Sequence, residues 1–118
     1  MKIGYVNIRV ADFERALEFY QKTLEMPLKF ADRDFGYASF LAGPINLGVA
    51  KDDDASRVGG HTGIGFVVDD LDERYAELAA RGVRFTMKPE KQPWGGYMSL
   101  FADPDGNIFY LDQVHDEE

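Results

Sequence analysis

The side chains able to do chemistry in this chain are few. There are two histidines, His61 and His115, and no cysteine. That excludes a thiolate metal site, a cysteine nucleophile and a disulfide framework. No nucleophile stands at a readable spacing from a base and an orienting group. Proton transfer is left to His61, Tyr5 or Tyr110. His115 lies in the acidic tail Asp116-Glu117-Glu118 and is expected to be solvated. Binding chemistry is better supplied. From Ile3 to Val10 the chain alternates, with Val6, Ile8 and Val10 on one side and Tyr5, Asn7 and Arg9 on the other. The first set suits packing under a helix; the second would line an enclosed face. Arg9 on such a face needs a counter-charge. Asp112 is the preferred partner and an anionic ligand group the other candidate. Tyr97 and Tyr110 offer stacking area, or simply fill the space between strands. Trp94 sits in Gln92-Pro93-Trp94-Gly95-Gly96, either as a stacking lid or as a loop tryptophan packed on the sheet rim.

These residues need elements to hold them. Gly96 to Leu111 predicts strand, turn, strand: Pro104 presets φ, Asp105 tolerates the second central position, and Gly106 can take φ > 0. Gly96-Tyr97-Met98-Ser99 has an echo at Gly36-Tyr37-Ala38-Ser39. Val10-Ala11-Asp12-Phe13 likewise matches Val68-Asp69-Asp70-Leu71, and Leu28-Lys29-Phe30 matches Val83-Arg84-Phe85. One module is used twice. In each, a strand leads to an Asp-capped helix, Asp12 then Asp70. Phe13, Ala16, Leu17, Tyr20 and Leu24 form one helical stripe, and Leu71, Tyr75 and Leu78 the other. The first helix ends at Glu25 rather than at a glycine, which implies a left-handed residue there or another exit geometry. Three strands follow each helix. The expectation is an α+β fold: tandem βαβββ modules, 1–51 and 61–118, joined by a polar, flexible linker at 52–60. Together they form a single domain, a curved eight-stranded mixed sheet with the helices outside.

Composition sets limits. The chain has 118 residues, 45% of them hydrophobic, and can build a core. A net charge of −8 disfavours nucleic acid and anionic membrane as partners and mildly favours a cationic ligand. No apolar run reaches membrane-spanning length. Met1-Lys2-Ile3-Gly4 leads straight into a strand pattern with no leader signature. A cytoplasmic location is expected.

Paired βαβββ modules with Asp103-Pro104-Asp105-Gly106-Asn107 before the last strand resemble the vicinal oxygen chelate superfamily. That group includes glyoxalase I, extradiol dioxygenases, fosfomycin-resistance enzymes and bleomycin-resistance proteins. Ile8 to Asp12 leading to Ala16 to Tyr20, with Phe101 to Leu111, carries the resemblance. It implies a divalent metal held by His, Glu or Gln on the first and last strands of each module. Those positions fall here at Tyr5, Leu47, Gly63 and Tyr110, none a good ligand for such an ion. His61 stands two residues before Gly63 and could pair with Asp112 as a displaced site, but two ligands make no tight one. The chain is thus similar to the metal-free, bleomycin-resistance-like members, which implies no cofactor, a homodimer, and a small aromatic or cationic compound as ligand. The binding residues expected are Tyr5, Asn7, Arg9, Leu47, Trp94, Tyr97, Tyr110 and Asp112. The alternative is a metal-dependent lyase, isomerase or dioxygenase with a non-standard site.

Overall fold

The structure, a computed structural model, describes residues 1–114; His115 lies outside them. Two βαβββ modules are present. The first comprises β1 (Tyr5–Val10), α1 (Phe13–Glu18), β2 (Leu28–Asp32), β3 (Tyr37–Ala42) and β4 (Ile45–Lys51). The second comprises β5 (Gly60–Val68), α2 (Leu71–Ala80), β6 (Arg84–Lys91), β7 (Tyr97–Ala102) and β8 (Asn107–Gln113). The eight strands divide into two four-stranded sheets, ordered β1-β4-β3-β2 and β5-β8-β7-β6. In the first, β1 runs parallel to β4 and the other pairs are antiparallel.

The same physics builds both modules. Asp12 accepts from the Arg15 amide at 3.1 Å and Asp70 from the Glu73 amide at 3.1 Å, so each helix starts on a capping aspartate. Each second strand carries a bulge at the same place. One falls between Leu28 and Phe30 opposite Phe40 and Ser39, the other between Phe85 and Met87 opposite Phe101 and Leu100. The helices differ at their ends. α1 loosens into a π-helical turn, Phe19–Thr23, and leaves through Glu25 at φ 59. That is the left-handed exit expected where glycine is missing; α2 exits through Gly82 at φ 92.

One side of each sheet packs on its helix. In the first module Ile8, Val10, Phe40, Leu47 and Val49 are buried there with Phe13, Ala16, Leu17 and Tyr20. In the second, Phe101 stacks on Phe109 at 5.4 Å, Phe85 meets Tyr75 edge-on at 4.5 Å, and Leu71 and Leu78 close the core.

By contact the chain forms two compact units: Met1–Gly60 with Pro104–Asn107, and His61–Asp103 with the strand from Ile108. The four-residue turn of the second half therefore belongs with the first. Asn107 secures it. Its Nδ2 donates to the Arg9 carbonyl at 2.9 Å, and its Oδ1 accepts from the Gly59 amide at 3.1 Å. Arg15 adds a bond to the Pro104 carbonyl at 3.2 Å.

The segment 52–60, expected to be flexible, is tightly hydrogen-bonded. Asp52 is 7% exposed and accepts from the Asp54 amide at 2.9 Å. Asp54 in turn caps a short 3₁₀ turn, Ala55–Arg57. The run of aspartates makes successive Asx turns in place of a solvated spacer.

Candidate functional site

The helix-free side of the first sheet is the candidate site. Direct cross-strand partners share a face, and Tyr5, Asn7 and Arg9 stand opposite Asn46, Gly48 and Ala50. Those in turn stand opposite Leu41, Ser39 and Tyr37, and the face ends at Phe30 and Asp32 on β2. The sequence alternation placed Tyr5, Asn7 and Arg9 together, and the structure agrees.

Two residues that were not among the expected binding residues, Tyr37 and Phe30, shape this face. Tyr37 reaches across β4 and donates its hydroxyl to Asn7 Oδ1 at 2.9 Å. It can do so because Gly48 lies beneath; a Cβ there would collide with Asn7 Oδ1 and the Tyr37 hydroxyl. Burial, and then the neighbouring Tyr5, raise the Tyr37 phenol above its ordinary range. Phe30 lies beside Tyr37, ring centroids 5.9 Å apart, and stays half exposed. Phe30, Tyr37 and Tyr5 thus give an aromatic row with a polar edge. The sequence signal for Tyr37 was present, since it belongs to the repeated Gly-Tyr-x-Ser, but the echo made it a twin of Tyr97. Gly48→Ala should break the Tyr37–Asn7 bond. The check is the Asn7 side-chain amide resonances by NMR, which should shift in Gly48→Ala as they do in Tyr37→Phe.

Arg9 has a partner, but the expectation of Asp112 is corrected. Its Nη1 meets Asp52 Oδ2 at 3.0 Å. Asp52 also takes Arg57 Nε on Oδ2 at 2.8 Å and Nη2 on Oδ1 at 3.3 Å. Arg57 foremost, then the Asp54 amide, hold the Asp52 carboxyl down to about 2. The sequence reading missed Asp52 because three consecutive aspartates look like a solvated run.

Other expected site residues fall elsewhere. Leu47 is 1% exposed and sits on the helix side opposite Phe40 and Val6. The module ends show why it was misassigned. Asp52 donates its amide to the Val10 carbonyl as Val114 does to Val68, so Tyr110 corresponds to Gly48, not to Leu47. A shift of one residue changes the face. Tyr97 is also on the helix side, donating to Asp72 Oδ1 at 2.6 Å in the first turn of α2. That bond is the main cause of its raised phenol, with burial second. Trp94 is 71% exposed at the tip of the β6–β7 turn, neither packed on a sheet rim nor covering a face. Its ring folds over its own turn, where a Cβ on Gly96 would meet Nε1 at 2.6 Å. Tyr110 and Asp112 share the helix-free side of the second sheet, beside Gly65. His61 is exposed at the start of β5.

The metal positions implied by the resemblance become Tyr5 and Gly48 on the first sheet and Gly63 and Tyr110 on the second. Two have no side-chain donor, and the others offer neutral phenols. These residues do not fit a divalent ion. Among the described residues no three His, Asp or Glu side chains come together as a metal cluster.

Duplicated βαβββ modules, each with a mixed sheet backed by one helix, define the fold class. The chain belongs to the Glyoxalase/Bleomycin resistance protein/Dioxygenase superfamily, whose family model matches residues 2–111. A superfamily member from Sphaerobacter thermophilus DSM 20745 is 33% identical, with 97% of this chain and 98% of that one covered and a TM-score of 0.85. YraH, an uncharacterized protein of Bacillus subtilis (strain 168), is 26% identical over 94% of this chain and 97% of its own length. Lactoylglutathione lyase from Agrobacterium tumefaciens shares the fold at 20% identity, with a TM-score of 0.79 and 95% and 92% of the two chains covered. No helix among the described residues is long and apolar enough to cross a membrane.

Proposed function

We propose that this protein binds a small aromatic compound on the helix-free face of its first sheet, without a resident metal ion, and that it works as a homodimer in the cytoplasm. The observation that carries the reading is the row Phe30, Tyr37 and Tyr5, ordered by the Tyr37–Asn7 hydrogen bond above Gly48. Ordered aromatics give stacking area at little entropic cost. An NMR screen of aromatic compounds tests it. Hits should shift resonances of Tyr5, Tyr37 and Phe30, and Tyr37→Ala should weaken them by about 1–3 kcal/mol. Hits that bind Tyr37→Ala as tightly as the natural chain would refute the site.

The metal-free part has its own test. Elemental analysis of protein purified without chelator or affinity tag should find no stoichiometric zinc, nickel, manganese or iron. A stoichiometric metal would instead support the alternative, a metal-dependent lyase, isomerase or dioxygenase using other residues, with His61 and Asp112 the first to mutate. Light scattering after size exclusion should give near twice the 13.3 kDa chain mass through a symmetric interface. A mass of one chain at micromolar concentration would count against the dimer.

A further inference from the structure

The candidate face is chemically lopsided. The order β1-β4-β3-β2 puts Asn7 and Arg9 on one edge strand and Asp32 on the other, three strand spacings or about 14 Å away. At the β1 edge the groups presented are donors. Asn7 is exposed, and its Oδ1 is taken by the Tyr37 hydroxyl. Its amide nitrogen, with two N–H groups, is turned away from that bond. Arg9 gives a bond from Nη1 to Asp52, while Arg57 engages both oxygens of the same carboxylate. The Asp52 charge is therefore shared. The Arg9 side chain, 52% exposed, keeps the rest of its planar fork for another acceptor. Both side chains lie on one strand two residues apart, so both face the same way.

We infer that the ligand is an aromatic carboxylate, its oxygens on Asn7 Nδ2 and the Arg9 guanidinium and its ring over Tyr37 toward Phe30. The inference rests on the reading of this face as the ligand site and adds the chemistry of the ligand's polar end. A carboxylate offers acceptors only, which matches the N–H groups of Asn7 Nδ2 and of the Arg9 fork. Guanidinium–carboxylate bonds are also stronger than neutral ones. A cationic head group would meet Arg9 as a like charge and find on Asn7 only the second lone pair of an oxygen already bonded to Tyr37. The net charge of −8 points the other way. That field acts at long range and is screened within about 10 Å at ordinary salt, so it governs the rate of encounter more than the contacts.

Three matched probes decide it: 2-naphthoate, 2-naphthamide and 2-naphthylmethylamine, titrated by calorimetry at pH 7 against the natural chain, Asn7→Asp and Arg9→Met. Asn7→Asp keeps the acceptor for Tyr37 and replaces the donor by a negative charge. Arg9→Met keeps the stem and leaves Asp52 with Arg57. The acid should bind about tenfold or more tighter than the amide, and the amine weakest. Each variant should lose about tenfold or more for the acid, while the amide changes in Arg9→Met by no more than about threefold. If the amine or amide matches the acid, or if Asn7→Asp binds the acid undiminished, the inference fails and the aromatic site stands. If none of the three probes binds, both fail.

Discussion

Asn107→Ala should lower the unfolding free energy by about 2–4 kcal/mol, although it removes only a small polar side chain. Asn107 is 4% exposed and serves two backbone groups at once, the Arg9 carbonyl and the Gly59 amide. Alanine would leave both without that partner in a place water reaches poorly, and an unsatisfied buried group costs about 1–3 kcal/mol. Asn107→Asp should not restore the loss. It keeps the acceptor for Gly59 but sets a carboxylate oxygen against the Arg9 carbonyl. Urea denaturation followed by circular dichroism is the measurement. A loss below about 1 kcal/mol for alanine, or full stability for aspartate, would show that the turn is held by something else.

Asp52→Asn should lower the melting temperature by several degrees at pH 7 and change how stability depends on acid. The Asp52 carboxyl titrates at about 2 in the folded chain against 3.8 in the ordinary case. A carboxyl depressed by folding stabilises the fold above its unfolded value. That contribution shrinks as pH falls through the interval from 3.8 to about 2. The gap between natural chain and variant should therefore be constant above pH 5, narrow from there downward, and be smallest near pH 2. Comparing the two proteins at each pH cancels the titration of the other carboxylates. Melting curves from pH 7 to pH 2 provide the check. A gap that widens on acidification, or none at pH 7, would contradict the assignment of Asp52 as the carboxylate shared by Arg9 and Arg57.

The fold was legible because its signals are redundant. Alternation in β1, the Asp12 and Asp70 caps, the helical stripes and the Gly106 turn each point to the same module. The site was legible only where register could be counted from one strand alone, as for Tyr5, Asn7 and Arg9. It failed wherever register had to be carried from one module to the other. Phe40 corresponds to Phe101, both opposite the residue before the bulge. Tyr37 therefore corresponds to Met98, and the repeated Gly-Tyr-x-Ser is out of step by one residue. Hence Tyr37 faces away from its helix while Tyr97 bonds to the helix in its own module. A separate one-residue slip, in the opposite sense, put Leu47 where Gly48 stands. Nothing in the composition of a strand reveals such a shift when both faces carry aromatic and small residues. Asp52 was hidden differently. A buried carboxylate between two arginines is defined by partners far apart in the chain, and Arg9 lies 43 positions away.

The turn lent by the second half to the first has a consequence for the history and handling of such a chain. A repeat of this kind begins as two copies of one segment. Once Asn107 supplies what Arg9 and Gly59 need, the earlier copy can no longer complete itself. A chain cut after Gly60 would lose the partners of the Arg9 carbonyl and of the Gly59 and Gly60 amides and leave all three to water. Duplication has thereby become dependence: the halves have diverged in sequence, as Tyr37 and Met98 show, while the first relies on a turn supplied by the second.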